Sequence, residues 1–333
     1  MKLKAYIRFT LVTVLLIGGF YACTGKQNML KTGLDDSTVM TIGSKRHIDM
    51  SQFKETRLNI PYAGTDNVRQ TLDIVYPSRG QAPYKTIVLI HGGGWLIGNK
   101  ETESIASVFQ ATTQGYAIVS INYRLSNEVR WPEPLHDAKA AIRFIRANAE
   151  QYRLDTEKLV AWGESAGGHI GEMLGATNGR PEFEDPAMGN PNISSAVQGI
   201  VAWYPISDVG GLTDTGTLPA DAIMGYDVRA NKEKNHDANP IDLVTKDFPP
   251  LLLVHGTTDA IVPYQQSLDM QKKVKEQTGI EPHLLTFLGA AHGDARIKST
   301  ENVIINLRFV DKILYGGKNP YRNTNFIIIK TAD

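Results

Sequence analysis

The stretch "KLVAWGESAGGHIGEMLG" (158–175) sets Ser165 in a Gly-x-Ser-x-Gly pattern, with a buried-strand run before it and a helical segment after it. A strand-to-helix turn tight enough to exclude side chains at 163 and 167 leaves the serine hydroxyl exposed at its tip, beside a helix N-terminus. The five-residue pattern alone recurs by chance; the strand before and helix after give it weight. A hydroxyl attacks only when a neighbouring base takes its proton. Of eight histidines, His292 suits that task, because "LGAAHGD" lets small residues carry an imidazole over the sheet edge after the last strand. His91 and His255 open "HG" pairs at strand ends and are expected to brace backbone. His169, one helical turn beyond the serine, is expected below the elbow. His47, His136, His236 and His283 have no supporting context.

The base needs a carboxylate to fix its tautomer and support its positive charge. Asp259 in "LLLVHGTTDAIVP" lies just past the penultimate strand, on the same edge as Ser165 and His292. Asp208, after an earlier strand, is the second choice, and Asp294 stands close to His292 in sequence. Glu164 is expected to serve the elbow's structure. The tetrahedral intermediate of acyl transfer also needs N–H donors for its oxyanion. "IVLIHGGGWLIG" (87–98) supplies glycines that let backbone approach closely. Gly93 and Gly94, two of the four positions from Gly92 to Trp95, are assigned to this hole together with the Ala166 amide. The glycine run is not a phosphate loop, since no Gly-Lys-Ser/Thr follows it. No cluster of histidine, cysteine or carboxylate has metal-ligand spacing, and no cofactor is expected.

These residues need a scaffold. Short apolar runs of the buried parallel type recur at "TIVLI" (86–90), "AIVSI" (117–121), "KLVAW" (158–162), "GIVAWYPIS" (199–207), "LLLVHG" (251–256) and "HLLTFLG" (283–289). Before them "VRQTLDIVYP" alternates, placing Val68, Gln70, Leu72, Ile74 and Tyr76 on one strand face. Leu135, Ala138, Ile142, Ile145 and Ala149 mark a helix whose Lys139, Arg143 and Arg146 face away. Val303, Leu307, Val310 and Leu314 mark another, with Gly316 as its C-cap. Strands alternating with helices predict an α/β fold, with a mostly parallel sheet covered on both faces. Two segments break the pattern, 178–195 and 208–247, and each is a candidate lid or specificity wall, since ligands bind beyond the carboxyl ends of such strands.

Composition narrows the classes. The 333 residues are 42% hydrophobic, with 35 basic and 35 acidic side chains, so nothing favours nucleic acid or an anionic surface as partner. Residues 1–22 read as a signal peptide: Lys2, Lys4 and Arg8 precede an apolar run too short to span a bilayer. The run ends at Cys23, the only cysteine, so no internal disulfide can form. "GGFYAC" resembles the lipobox of bacterial lipoproteins, with Phe20 where leucine is usual. A lipidated Cys23, and a periplasmic or outer-membrane lipoprotein, is expected; a secreted protein is the alternative. Membrane contact would then run only through the lipid anchor. Residues 23–51 read as a flexible tether and 52–333 as one catalytic domain.

"HGGGW", "NYRLS", "GESAGGH", "HGTTDAIVP" and "GAAHG", in this order, resemble the HGGG-type esterase and lipase branch of the α/β-hydrolase superfamily over roughly residues 55–315. The chain order Ser165, Asp259, His292 is the order of that superfamily. Within the branch, "HGGGW" with "GESAGGH" is similar to small bacterial acetylxylan and feruloyl esterases. The resemblance implies an α/β-hydrolase fold and serine-dependent hydrolysis of short or aromatic acyl esters, such as those on plant polysaccharides. The tether, the 208–247 insertion and the tail "NPYRNTNFIIIKTAD" depart from it. Two other readings share the motifs. Prolyl peptidases use the same triad but carry a large propeller domain, for which this N-terminal segment is too short. Binding proteins on this fold have typically lost the serine or histidine, and both positions are filled here.

Overall fold

The structure, a computed structural model, describes residues 47–317 and the strand Thr331–Ala332. The expected signal peptide, Cys23 and most of the expected tether lie outside the described residues, as does the tail apart from that strand.

Eight strands form one sheet. In chain order they are β2 (Thr56–Pro61), β3 (Thr71–Val75), β4 (Tyr84–Ile90), β5 (Tyr116–Ile121), β6 (Leu154–Glu164), β7 (Gly199–Trp203), β8 (Leu251–Gly256) and β9 (His283–Phe287). Their spatial order is β2-β3-β5-β4-β6-β7-β8-β9. The β2–β3 and β3–β5 pairs are antiparallel, and every pair from β5 to β9 is parallel. The six apolar runs all became strands. Their near-continuous hydrophobicity has a simple cause: both faces of the sheet are covered. Along β4, Val88 and Ile90 enter the core shared with α1 (Glu133–Ala147) and α2 (Ala166–Ala176), whereas Ile87 and Leu89 enter the opposite core. That second core takes Val303, Leu307 and Val310 of α6 (Thr300–Tyr315), whose C-cap Gly316 has φ 63°. Between β7 and β8 stand α3 (Asp214–Met224) and α4 (Pro240–Leu243), and α5 (Gln265–Thr278) follows β8.

Three expectations need correction. Alternation from Val68 fails because Val68–Gln70 is a 3₁₀ turn and β3 is buried on both faces; Asp73 is fully buried and paired with Lys100 at 2.9 Å. Lys139 and Arg143 on α1 do not face solvent. The 178–195 segment folds over them, and its Glu184 pairs with Lys139 at 2.9 Å and with Arg143. Finally, the expected tether (23–51) is not wholly outside the fold: β1 (His47–Ile48) pairs antiparallel with β10 (Thr331–Ala332), and Ile48 is buried.

Candidate active site

Strand register brings the site together. Ile90 lies opposite Gly163, so the His91–Gly94 loop leaves the sheet beside the serine turn. Glu164 lies opposite Trp203, which puts Tyr204 next to that turn, and Gly256 lies opposite Phe287, so the loops carrying Asp259 and His292 start as neighbours. All four loops follow carboxyl ends of strands, where open parallel sheets bind ligands.

Ser165 is the N-cap of α2 and is held at φ 52°, ψ −120°, a conformation a non-glycine residue adopts only when its surroundings enforce it. The enforcement is close packing of backbone. A Cβ at Gly163 would fall 2.2 Å from the Gly167 carbonyl oxygen, and one at Gly167 would fall 2.2 Å from that of Ile90. The expected crowding at 163 and 167 is therefore what the structure contains.

Ser165 Oγ lies 3.0 Å from His292 Nε2, and His292 Nδ1 lies 2.7 Å from Asp259 Oδ2. With its proton on Nδ1, the imidazole donates to the carboxylate and accepts from the hydroxyl. Asp259 Oδ1 accepts the Ile261 and Val262 amides, both at 2.9 Å. Burial pushes the Asp259 carboxyl up, but hydrogen bonds from His255 and His292 and from the Ile261 amide outweigh it and hold the group below the usual carboxylate range. The two other aspartates are engaged elsewhere. Asp208 caps a 3₁₀ turn through the Gly210 amide, and Asp294 makes a two-oxygen contact with Arg296.

Gly93 and Gly94 line the same cavity as Ser165, with φ of 106° and 63°, and Ala166 opens α2 directly after the serine. The loop is braced from below. His91 Nδ1 contacts the Gly92 carbonyl at 2.7 Å, its ring stacks on Tyr123 at 4.4 Å, and burial lowers its pKa to about 3. His169 is buried below the elbow as expected, between Trp95 and Trp131, with Nε2 donating to the Ala238 carbonyl at 2.7 Å. Bracing accounts for only half of what His255 does. It contacts the Val262 carbonyl at 3.0 Å and also faces Asp259 Oδ2 at 3.3 Å, an i,i+4 relation readable in "HGTTD" only once the turn is known.

The cavity has a volume of about 920 Å³. The 208–247 segment contributes Leu212, Thr215 and Pro219 to it, with Ile261 from the loop after β8, whereas Thr102, Ser104 and Ser107 line it from the segment after β4. The 178–195 segment does not line it and covers α1 instead. Sequence reasoning missed Tyr204 and Lys298, which also line the cavity and contact Glu164. Among the described residues, Glu133, His136 and Asp185 place one ligand atom each within 4.8 Å of one another. There Glu133 is bonded to Arg124 at 2.6 Å, and Asp185 accepts the Ala187 amide.

A protein-family model, BD-FAE, matches residues 72–274. The chain is 28% identical over 216 residues to the esterase LipC of Mycobacterium tuberculosis, a match that covers 63% of this chain and 53% of that protein. It is 29% identical over 226 residues to the probable carboxylic ester hydrolase LipM of the same organism, over 64% of this chain and 51% of that one. The chain thus spans about half the length of the curated relatives it matches. Among solved structures, a truncated carbohydrate esterase from gut microbiota superimposes with TM-score 0.73 at 28% identity, covering 80% of this chain and 98% of the other. A bifunctional GH43-CE protein of Bacteroides eggerthii gives TM-score 0.71 at 29% identity, over 77% of this chain and 38% of that one.

Proposed function

The chain belongs to the BD-FAE family, an α/β-hydrolase fold, and from that premise we propose that it hydrolyses carboxylic esters with Ser165 as nucleophile. The observation that carries this is the continuous line from Ser165 Oγ to His292 Nε2 at 3.0 Å and from His292 Nδ1 to Asp259 at 2.7 Å. His292 takes the serine proton as Oγ bonds to the ester carbonyl carbon. Asp259, an anion in this setting, steadies the imidazolium that forms. The carbonyl oxygen, now negative, is received by the amides of Gly93, Gly94 and Ala166. As the intermediate collapses, the C–O bond to the alcohol breaks and His292 gives its proton to the departing alkoxide. Water then attacks the acyl-enzyme by the same route and regenerates the serine.

The substrate class proposed is a short or aromatic acyl ester carried on a carbohydrate. A roomy cavity lined by Thr102 and Ser104 supports a polyhydroxylated alcohol, and two related structures bear the names of a carbohydrate esterase and a GH43-CE protein. Leu212, Pro219 and Ile261 offer apolar surface to the acyl group or an aromatic ring. Export as a lipoprotein through Cys23 belongs to the same proposal and rests on the N-terminal sequence alone.

The test is initial rate on p-nitrophenyl acetate, butyrate and octanoate, methyl ferulate, acetylated xylan and an aminoacyl-anilide, for wild type and Ser165→Ala. Cleavage of the short esters that falls roughly 10⁴- to 10⁶-fold in Ser165→Ala, at unchanged Tm, is expected. Comparable anilide cleavage would move the chain to the peptidases, and ester cleavage surviving Ser165→Ala would remove the serine from the reaction.

A further inference from the structure

A charged cluster lies directly beneath the serine. Glu164 is buried, with a side chain 6% exposed, and its Oε2 accepts the Tyr204 hydroxyl at 2.5 Å and faces Lys298 Nζ at 3.3 Å. Oε1 accepts the Ser104 hydroxyl. A Cβ at Gly92 would fall 3.3 Å from the same Oε1, so the carboxylate lies under the backbone leading into Gly93 and Gly94. The Tyr204 ring packs edge-on against His292, with centroids 4.6 Å apart. An anion in this place opposes the negative charge that an ester carbonyl acquires at the same loop, and a buried setting screens that opposition poorly.

The titratable groups facing Glu164 are Lys298 from the loop before α6, Tyr204 after β7, His91 after β4 and Tyr123 after β5. His91 is kept neutral by burial, buried Arg69 acts on His91 and Tyr123, and Lys298 is the cation in direct contact with the carboxylate. Lys298 is part of the cavity lining, and a Cβ at Gly293, next to His292, would fall 3.4 Å from its Nζ. Burial pushes the Glu164 carboxyl up, but Lys298 with the Ser104 and Tyr204 hydroxyls reverses this and leaves it below the usual glutamate range.

We propose that Lys298 is a positioning residue acting through Glu164. Its ammonium keeps the carboxylate as a compensated anion, so Glu164 can anchor Ser104 and Tyr204 without opposing charge development at the oxyanion loop. The inference rests on the ester-hydrolase reading above, and its test separates the two. Lys298→Met lowers kcat on p-nitrophenyl acetate about ten-fold at neutral pH, with KM nearly unchanged. It also adds a fall in kcat as pH rises, because the carboxyl then ionises without a partner. Lys298→Arg keeps the wild-type profile, and the double variant Lys298→Met/Glu164→Gln, which carries neither charge, regains most of the lost kcat. A Lys298→Met enzyme with wild-type kcat and pH profile overturns the inference, as does a double variant no faster than the single one. A second readout needs neither activity nor a folded lysine variant: the ¹³C-carboxyl titration of Glu164 by NMR in the wild-type chain, assigned with Glu164→Gln. A carboxyl that titrates below the ordinary glutamate range is expected, and a carboxyl protonated at neutral pH overturns the inference. Wild type inert on every ester would sink the hydrolase reading alone, and the titration would still judge Lys298.

Discussion

At the scale of single residues, the arrangement at Asp259 separates three carboxylates that look alike in sequence. Asp208 and Asp294 satisfy local backbone and Arg296, whereas Asp259 accepts two amides on one oxygen and offers the other to His292. Replacing it by asparagine leaves the shape but removes the charge. The amide NH₂ can also turn toward Nδ1 and favour the tautomer that cannot take the serine proton. Asp259→Asn should therefore lower kcat by roughly 10³- to 10⁴-fold with little change in KM. Steady-state kinetics on p-nitrophenyl acetate decide this, and undiminished kcat would mean that His292 works without that carboxylate.

At the scale of elements, α2 does more than present Ser165. It carries two buried titratable side chains, His169 and Glu172, one turn apart, and both tie the polar 208–247 segment or its start to α2. His169 reaches the Ala238 carbonyl, and the Ser207 hydroxyl donates to Glu172 at 2.8 Å. Burial pushes the Glu172 carboxyl up to about 8, against the weaker opposing pull of the Ser207 hydroxyl. A carboxyl raised in the folded state binds its proton more tightly there. The stability it contributes is complete below its ordinary value of 4.5 and is lost as pH rises toward about 8. His169 has the opposite sign, because burial lowers it from 6.5 to about 4 and its share of stability is lost as pH falls through that window. Glu172→Gln keeps the shape and the Ser207 contact. It should gain on wild type by roughly 2–4 kcal/mol between about pH 5 and about pH 8. Urea denaturation at several pH values measures this, and a difference independent of pH would show that Glu172 is charged in the fold.

At the scale of the whole molecule, the two polar excursions have different jobs. The 208–247 segment lines the cavity, whereas the 178–195 segment closes over α1 and places Glu184 against Lys139 and Arg143. Both cations are almost fully buried, so their charge is tolerable only with that carboxylate and the nearby carbonyls in place. Glu184→Gln should cost on the order of 3 kcal/mol in stability and leave kcat/KM unchanged well below Tm. A lowered kcat/KM at full stability would tie the 178–195 segment to the site after all.

The sequence by itself determined the strands and the serine. Continuous apolar runs bounded by glycine have few ways to fold except as buried parallel strands, and Gly163 and Gly167 admit only a turn in which backbone replaces side chains. The placement of Ser165, Asp259 and His292 at one edge was legible for the same reason, since each follows a strand end. What the tertiary structure decided depends on neighbours distant in the chain. The burial of Lys139 and Arg143 follows from a segment some forty residues away folding over them. Pairing of Glu164 with Lys298 follows from Glu164 lying at the end of β6 and the lysine in the loop after β9. Which of Asp208, Asp259 and Asp294 reaches His292 follows from register, because Gly256 pairs with Phe287 and so starts the Asp259 and His292 loops side by side. A hydrophobic pattern records which face of an element is covered, and it carries no trace of which charged partner the covering segment brings.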